Sequence, residues 1–361
     1  MITRYFFFTI KDLSNLILKI RDRLEINLFR YFTIKRFLNA IRILTSFCIS
    51  RIIRKPIVWG MPLTYSIEPT NLCNLKCPEC PSGTGELTRP LGLMNIENYR
   101  KIVDQISGTG FYVQLFFQGE PYLNKKLPEM ISYAQSKNVY VSVSTNGNLI
   151  STKNIDAFSE HLPDKIIFSL DGMDEISYQN YRVGGTFKQA DEALQLIVEA
   201  KQKIDLQKPF IELQFIVMKQ NEHLLEDVKA YAKKRFVDRL VFKTMQISSY
   251  SNAIEFLPDN SEYSRYILSN GGYKLKGKFK DHCFALWRTG VITWDNKMVP
   301  CCFDKDASYV LGNLNKASIK EIWKSELYQR FRFGLLKNRK AINMCSNCTE
   351  GLKVNIFRLE N

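Results

Sequence analysis

The chain has 361 residues, of which 45% are hydrophobic and 24% are charged, so a sizeable core can form in one large domain with an appendage or in two domains. The formal net charge at pH 7 is +15, and residues 1–57, with twelve Lys or Arg against three Asp or Glu, carry +9 of it. No uncharged apolar run approaches the roughly 18 residues that span a bilayer, and no small-residue cleavage site marks a secretory signal. These features predict a chain that neither spans a membrane nor is secreted.

The N-terminal 57 residues predict two amphipathic helices, because apolar side chains recur at helical spacing between basic ones. The first stretch contains Leu13, Leu16, Ile17, Ile20, Leu24 and Leu28, and the second contains Ile34, Phe37, Leu38, Ile41 and Leu44. One interpretation is a helical extension that packs on the rest of the protein and has a basic outer face. The other is a helix pair lying on an anionic membrane surface. The basic residues belong to no recognisable nucleic-acid-binding motif, so no nucleic acid partner is expected.

Three closely spaced cysteines come next in the chain, Cys73, Cys77 and Cys80. Thiolates in C-x3-C-x2-C spacing can bind three irons of a four-iron cube, which leaves the fourth iron open to a small molecule. A structural zinc site is a second interpretation, but it needs a fourth ligand, and none of the three histidines lies near this run. A disulfide with a spare thiol is a third, although nothing marks the chain as secreted.

After Pro56, short β-rich runs alternate with longer helical ones. The predicted strands cover residues 63–68, 112–117, 139–144, 166–170, 211–217 and 240–243, and helical stretches cover 96–106, 127–137 and 187–202. This alternation predicts an α/β fold in which a parallel sheet forms a partial (β/α)6 TIM-like barrel with helices outside. The expected organisation is a basic helical extension over 1–57, a core over 58–270 and a small cysteine-rich cluster domain over 271–361.

Polar signatures follow the predicted strands at their C-terminal ends, where the working loops of such sheets lie. The cysteine run follows the first strand. The later ends carry Gly119, Glu120 and Pro121, then Ser144 and Asn146, then Ser169. Simple turn residues would fall at both ends of the sheet, so their common side favours one shared site.

A second set of cysteines lies in the C-terminal region, at Cys283, Cys301, Cys302, Cys345 and Cys348. Residues 287–297 alternate and then turn at Asp-Asn, which predicts a β-hairpin, and a helix is predicted over 319–331. This arrangement brings four ligands together: Cys283 before the hairpin, Cys301 after it, and the late C-x2-C pair Cys345 and Cys348. Four thiolates suit a structural zinc ion and an iron–sulfur cluster about equally. Cys48 is predicted to be a core residue.

Together and in order, the cysteine run, Gly-Glu-Pro, Ser-Thr-Asn-Gly and Ser-Leu-Asp-Gly resemble the motifs of the radical S-adenosylmethionine (SAM) enzymes over about residues 61–245. The resemblance implies that Cys73, Cys77 and Cys80 hold a [4Fe–4S] cluster whose open iron chelates the methionine end of SAM. It also implies SAM contacts, which fall on Gly119, Glu120, Pro121, Ser144, Asn146, Ser169, Arg182 and Met218. Gln118 stands where the family often has a first glycine.

The C-terminal cysteines are similar to the SPASM and twitch extensions of the same superfamily, which carry auxiliary [4Fe–4S] clusters. This chain has enough cysteines for one such cluster, and the resemblance implies the ligands Cys283, Cys301, Cys345 and Cys348, with Cys302 as the alternative to Cys301. Some relatives place a catalytic aspartate directly after a cluster cysteine. Here the nearest acid is Asp304, which is our hypothesis for a general base.

The resemblance implies a radical SAM oxidoreductase that reductively cleaves SAM to a 5′-deoxyadenosyl radical and takes a hydrogen atom from a peptide or a small molecule. The auxiliary cluster would accept the remaining electron or bind the substrate, and the reductant would be a flavodoxin or a ferredoxin. A non-catalytic metal-binding scaffold is the alternative, although scaffolding needs neither an open iron nor a SAM pocket. Nine cysteines without a secretory signal predict a cytoplasmic protein, with membrane association through residues 1–57 as an option.

Overall fold

A computed structural model describes residues 30–204, 208–269, 271–278, 280–350 and 357–360. The first predicted amphipathic helix, which contains Leu13 and Leu28, lies outside these residues. The described strands are β1 (Thr64–Ile67), β2 (Tyr112–Leu115), β3 (Tyr140–Thr145), β4 (Lys165–Ser169), β5 (Phe210–Val217), β6 (Arg239–Thr244), β7 (Tyr266–Ser269), β8 (Gly272–Leu275), β9 (Thr289–Ile292), β10 (Lys297–Val299), β11 (Gly312–Asn313) and β12 (Phe357–Glu360). The six predicted strands appear as β1 to β6, with ends that differ by at most two residues.

The helices lie mostly between these strands, as the β–α alternation predicts. They are α1 (Ile34–Ile53), α2 (Pro81–Thr84), α3 (Ile96–Ile106), α4 (Leu127–Ser136), α5 (Ile155–Ser159), α6 (Glu175–Gln179), α7 (Phe187–Ile204), α8 (Leu225–Lys234), α9 (Tyr250–Phe256), α10 (Ala285–Arg288), α11 (Ile319–Lys324), α12 (Glu326–Asn338) and α13 (Asn343–Ser346). The single helix predicted over 319–331 is wrong. Ser325 divides it, because its backbone is extended and its side chain accepts a hydrogen bond from the Tyr328 amide (3.2 Å), which begins a new helix.

One ten-stranded sheet forms the framework of the protein. Its strand order is β11-β10-β9-β1-β2-β3-β4-β5-β6-β12, and β1 to β6 are all parallel neighbours. The central register pairs Tyr65 with Val113 and Val143 with Ile166. Parallel neighbours in chain order place every C-terminal strand end at the same edge, so the sheet supports a single mouth for the predicted site.

The predicted C-terminal hairpin is confirmed, and it joins the barrel sheet instead of forming a sheet of its own. Strand β9 pairs in parallel with β1, and β10 pairs antiparallel with β9. Asn296 makes the turn possible with a φ of +66°, a left-handed conformation that asparagine tolerates better than most residues. At the other end of the sheet, β12 pairs antiparallel with β6. C-terminal strands therefore extend both edges of the parallel core.

The C-terminal region also shares the apolar core of the barrel. Trp287 and Trp323 are fully buried, and their indole N–H groups donate to the carbonyls of Ile57 (2.9 Å) and Gly60 (3.1 Å) just before β1. Arg332 is fully buried, and its guanidinium carbon lies over the Trp323 ring, 4.1 Å from the ring centre. These contacts fix the cysteine-rich region against the first strand.

Helix α1 closes the N-terminal end of the barrel, opposite the cysteine run. Arg36 donates to the carbonyl of Ser107 (2.7 Å), and Asn39 donates to the carbonyls of Met61 (2.9 Å) and Thr109 (3.3 Å), all in loops that lead into β1 and β2. The buried side of α1 is therefore largely polar, and it satisfies loop backbone groups that would otherwise lack partners.

Helix α1 packs on the barrel, as one of the two sequence interpretations expects, but its outer face is apolar as well as basic. Ile34, Phe37, Leu38 and Ile41 are 45–74% exposed. The buried positions are Arg36, Asn39, Ile43, Ser46, Phe47 and Ser50. The reason is that the loop ends offer hydrogen-bonding groups, which the polar side of the helix matches. No helix within the described residues is long and apolar enough to cross a bilayer.

Candidate active site

The cysteine run begins where β1 ends, and backbone hydrogen bonds hold it from two sides. The amide of Glu120 donates to the carbonyl of Leu72 (2.7 Å), and the amide of Lys76 donates to the carbonyl of Val183 (2.7 Å). The first bond comes from the loop after β2, and the second comes from the segment after α6. The motifs that the sequence placed at different strand ends are therefore in direct contact.

The three thiols of this run are close to one another and shielded from water. Cys77 is 5% exposed, Cys73 and Cys80 are partly buried, and all three are free of disulfides. Burial, together with the charges of Glu120, Cys80 and Cys77, raises the pKa of Cys73 to about 12. Such thiols lose their protons readily only to a metal, because a bound metal stabilises the thiolate.

The three thiols of the cysteine run form a donor set that suits a four-iron cube. Within the described residues, no three His, Cys, Asp or Glu side chains stand close enough to share one metal ion. A four-iron cube binds each cysteine through a different iron, so its ligands stand farther apart than those of a single ion. The donor set, three soft thiolates, is the one that iron–sulfur clusters use.

Gly119 sits against the cysteine run in a conformation that favours glycine. Its φ is +73°, and a Cβ at this position would lie 2.4 Å from the Leu72 carbonyl oxygen and 2.7 Å from that of Thr70. The sequence predicted that glycine lets the backbone approach the ligand. In the structure, the close approach is to the loop that carries the cysteines, and the absent Cβ is what allows it.

Glu120 links the loops that follow β2 and β3. Its carboxylate is 2% exposed and accepts hydrogen bonds from the Thr145 hydroxyl (2.8 Å) and the Asn146 amide (2.9 Å). Burial raises the pKa of Glu120 to about 7, against the opposing effect of these hydrogen bonds. Pro121 starts the 3-10 turn Pro121–Leu123, which fixes the backbone directly after the motif.

A cavity of about 380 Å³ opens inside the barrel, beside the cysteine run. Its walls come from β2 to β6 and from the segment after α6. The lining residues are Gln114, Phe116, Ser144, Ile167, Ser169, Arg182, Gln214, Ile216 and Lys243. Three predicted SAM contacts, Ser144, Ser169 and Arg182, therefore share one cavity. Its volume lies within the range of small-molecule sites, about 300–1,000 Å³.

Arg182 connects this cavity to the cysteines. Its Nε donates to Asp171 Oδ2 (2.6 Å), and its Nη1 lies 4.0 Å from the Cys77 sulfur. Burial would lower the pKa of Arg182, but the charges of Asp171 and Cys77 raise it well above its ordinary value. The guanidinium thus stays charged beside the cluster ligands and faces a cavity that an anionic group could enter.

Two other predicted SAM contacts lie outside the cavity wall described above. The Asn146 side chain donates to Asn74 Oδ1 (3.0 Å), so it braces the cysteine run. Met218 is 1% exposed and belongs to an apolar cluster with Leu75 and Tyr181. Both side chains lie next to the site and support it, and their contact with SAM stays a prediction.

Sequence reasoning missed several polar residues of the barrel interior. Gln114, Gln214 and Lys243 line the cavity, and Asp171 holds Arg182. A signal for Gln114 and Gln214 was present, because each is a polar residue between two apolar ones in its strand. Asp171 stood in the Ser-Leu-Asp-Gly motif but was not assigned a role.

The predicted auxiliary cysteines lie together on the other side of the hairpin. Burial raises the pKa of Cys283 to about 12 and those of Cys345 and Cys348 to about 11, and the charge of Cys283 also raises the pKa of Cys301 and Cys345. All four thiols are free of disulfides. Arg339 fixes the late pair, since its guanidinium donates to the Cys348 carbonyl (3.1 Å). This donor set also fits an iron–sulfur cluster.

Cys302 and Asp304 follow Cys301 in the chain. Cys302 is exposed, and its thiol lies near Glu350 and Lys243. Asp304 is 3% exposed, and its two oxygens accept hydrogen bonds from the amides of Ser308 (2.8 Å) and Tyr309 (2.9 Å). These bonds favour a structural turn for Asp304, and its role as a base stays a prediction.

Two family models match this chain. Residues 67–239 match the radical SAM superfamily, and residues 283–349 match SPASM, an iron–sulfur cluster-binding domain. The first match covers the cysteine run, β2 to β5 and every cavity-lining residue except Lys243. The second covers the hairpin and all the C-terminal cysteines.

Curated relatives and solved structures agree with both models. The tungsten-containing aldehyde ferredoxin oxidoreductase cofactor-modifying protein of Pyrococcus furiosus is 24% identical over 316 residues, which cover 78% of this chain and 86% of the relative. The PqqA peptide cyclase of Rhodopseudomonas palustris is 25% identical over 302 residues, covering 76% and 77%. The crystal structure of Streptococcus suis SuiB bound to SAM is similar in fold, with a TM-score of 0.58, 12% identity and coverage of 84% and 75%.

The cysteine run, the barrel cavity that adjoins it and the C-terminal cysteine set therefore have a common explanation. The cofactors of this family are SAM, a [4Fe–4S] cluster that binds it, and auxiliary iron–sulfur clusters. The sequence predicted the same cofactors from its motifs. The protein is an enzyme that carries a radical SAM domain over residues 67–239 and a SPASM iron–sulfur cluster-binding domain over residues 283–349.

Proposed function

We propose that this enzyme is an oxidoreductase that takes a hydrogen atom from a substrate bound in the barrel cavity. The observation that carries the proposal is Arg182, which lines the cavity while its Nη1 lies 4.0 Å from the Cys77 sulfur. The ligands of the first cluster and the substrate space thus share a wall. The cluster supplies the electron that cleaves SAM and so generates the radical that removes the hydrogen atom.

The residues of this chain would hold the reactants and keep out water. Cys73, Cys77 and Cys80 would bind the first cluster, and Arg182 would pair with the SAM carboxylate through its fork of N–H groups. Ser144 and Ser169 would donate to the ribose hydroxyls. The protein contributes orientation and a dry site, while the cofactor supplies the chemistry.

The C-terminal cysteines would give net oxidation. Cys283, Cys301, Cys345 and Cys348 would ligate an auxiliary [4Fe–4S] cluster that accepts the remaining electron, with Cys302 kept out of the ligand set. An equally consistent role for that cluster is substrate binding. A ferredoxin or flavodoxin would supply the reducing electron. Asp304 would act as a general base. Unchanged turnover of the D304N variant would contradict that role.

A peptide is the substrate class that the relatives support best. The PqqA peptide cyclase acts on a peptide by its name, and it matches 76% of this chain. A small polyol or sugar is the second candidate, supported by the modest cavity of about 380 Å³. A peptide would place one side chain in that cavity and leave the rest of its length at the mouth.

We also propose that α1 rests on an anionic membrane surface. Residues 30–55 contain seven Lys or Arg and no Asp or Glu. The exposed side of α1 presents Phe37, Leu38 and Ile41 beside these charges, which is the pattern of an interfacial helix. Because α1 lies at the N-terminal end of the barrel, such a contact would leave the cavity mouth open to substrate.

The test is the iron content and SAM cleavage of anaerobically reconstituted protein. The wild type is compared with a variant in which Cys73, Cys77 and Cys80 are all alanine. We expect about eight irons per chain in the wild type and about four in the variant, as two four-iron cubes require, with 5′-deoxyadenosine formed only by the wild type. A wild type that forms no 5′-deoxyadenosine with dithionite would favour the scaffold alternative. If the wild type holds only about four irons and the variant retains zinc, the C-terminal site is a structural zinc site.

A further inference from the structure

One charged group of the cavity has no role in the cofactor sites described above. Lys243 stands near the end of β6, and its side chain forms part of the cavity wall with Gln214 and Ile216 of β5. Its ammonium donates to Gln214 Oε1 (3.1 Å). An ammonium has three N–H donors, so one is used by the protein and two remain for a ligand in the cavity.

The acidic residue with the largest effect on Lys243, Glu212, is already engaged. Glu212 Oε2 accepts from Lys165 Nζ (2.8 Å), Glu212 Oε1 accepts from Gln214 Nε2 (2.7 Å), and Arg239 lies 3.5 Å from Oε2. Gln214 thus separates Lys243 from this carboxylate. In the described part of the chain, no carboxylate lies within 4.0 Å of the Lys243 ammonium.

The second acid that acts on Lys243 is engaged as well. Asp171 forms its ion pair with Arg182 at 2.5 Å and accepts from the Ile216 amide through its other oxygen (2.7 Å). Of the two remaining groups that act on Lys243, Arg265 is a cation that lowers the pKa of Lys243, as burial does, and the Cys302 thiol raises this pKa. Lys243 is therefore a sheltered cation whose protein neighbours supply no counter-ion at contact distance.

A sheltered charge without a partner is costly, and such groups are normally paired. A cation that the protein leaves unpaired inside a ligand cavity is suited to an anion that arrives with the ligand. A carboxylate fits the two remaining donors of Lys243 and is the anion that a peptide carries. Arg182 is already the candidate partner of the SAM carboxylate, so Lys243 is available to the second reactant.

We propose that Lys243 binds a carboxylate of the substrate and selects for acidic peptides. This inference rests on the proposed function, because it assigns the cavity to a peptide that is held for hydrogen-atom removal. The carboxylate comes from a Glu or Asp side chain or from a peptide C-terminus. Lys243 thereby fixes which part of the substrate faces the radical.

The experiment measures probe binding by calorimetry on oxidised, anaerobically reconstituted holoenzyme with saturating SAM, so that no turnover is needed. Three probes differ only in charge and its place. N-acetylglutamate α-amide carries a side-chain carboxylate, N-acetylglutamine carries a terminal one, and N-acetylglutamine α-amide is neutral. The proteins are wild type, K243M, K243R and, as a matched control, K219M, since Lys219 is a 52% exposed lysine outside the cavity wall.

We expect wild type and K219M to bind one charged probe about tenfold more tightly than the neutral probe, which is worth about 1.4 kcal/mol. K243M should bind all three alike, and K243R should keep the preference because it keeps the charge. The probe that wild type prefers identifies the source of the carboxylate. Iron content and SAM affinity are measured on every variant, so that a loss of folding or of SAM binding is seen separately from a loss of probe selectivity.

Three outcomes overturn the inference. In the first, wild type binds the charged and neutral probes equally or binds none of them. In the second, K243M keeps the preference for a charged probe. In the third, K243M lowers the affinity for SAM as much as the affinity for the charged probe. The last result would place Lys243 in SAM binding. None of these outcomes depends on 5′-deoxyadenosine formation, so the inference and the proposed function can fail separately.

Discussion

The contact between Gly119 and the cysteine run predicts a specific effect for the substitution Gly119→Ala. A Cβ at Gly119 would lie 2.4 Å from the Leu72 carbonyl oxygen, and the backbone φ there is +73°. Left-handed backbone costs a residue with a Cβ about 1–2 kcal/mol, and forcing the two loops apart adds about 1–3 kcal/mol. We therefore expect G119A to lose about 2–5 kcal/mol of unfolding free energy.

The same displacement should reach the first cluster, because the amide after Gly119 bonds directly to Leu72, one residue before Cys73. Anaerobic urea unfolding gives the free energy, and iron analysis gives the cluster occupancy. We expect G119A to lose about four irons per chain, the content of one cube, and to keep those of the auxiliary site.

Gly271 provides a matched control for backbone strain alone. Its φ is +71°, and a Cβ there would meet nothing within 4 Å. G271A should lose only the strain of about 1–2 kcal/mol and keep all its iron. If G119A and G271A are equally stable and hold equal iron, the close approach to the cysteine run does not have the role that we assign to it.

Three further predictions concern other parts of the molecule. Arg89 and Glu68 form a buried ion pair with two hydrogen bonds of 2.6 Å each, so R89M should lose about 3–5 kcal/mol of unfolding free energy, measured in urea. R330M breaks an exposed pair and should lose less than about 1 kcal/mol. Equal losses would contradict this. Because burial raises the pKa of Glu120 from its ordinary value of 4.5 to about 7, wild-type stability should fall relative to E120Q as pH rises from 5 to 8, and parallel pH profiles would refute the raised pKa. F37E should reduce sedimentation with phosphatidylglycerol vesicles, whereas F236E, a change at a still more exposed phenylalanine, should not, and binding unaffected by F37E would reject the membrane contact of α1.

Much of the architecture could be read from local patterns. The alternation of β-rich and helical runs predicted β1 to β6 to within two residues, because strand and helix periodicity are properties of neighbouring positions. The motif order predicted that the cysteine run, Gly119 and Glu120 share one edge of the sheet. The parallel topology brings them there, and the hydrogen bond from Glu120 to Leu72 joins them.

Other features depend on contacts between distant segments. By periodicity Ile34, Phe37 and Leu38 form an apolar side of α1, yet the structure leaves that side exposed and buries Arg36 and Asn39. The loops before β1 and β2 present carbonyl groups, and hydrogen bonding to those groups outweighs the apolar pattern. No sequence window contains both partners of such a bond.

The sequence by itself indicated the cofactors, since cysteine spacing limits which metal centres a chain can ligate, and the resemblance of its motifs to radical SAM enzymes implied iron–sulfur clusters and SAM. Only the tertiary structure decided what surrounds the substrate. Lys243, Gln214 and Arg182 are far apart in the chain and line one cavity because β5, β6 and the segment after α6 enclose it. A charge becomes a binding site through its burial and its missing partners, and both are properties of packing.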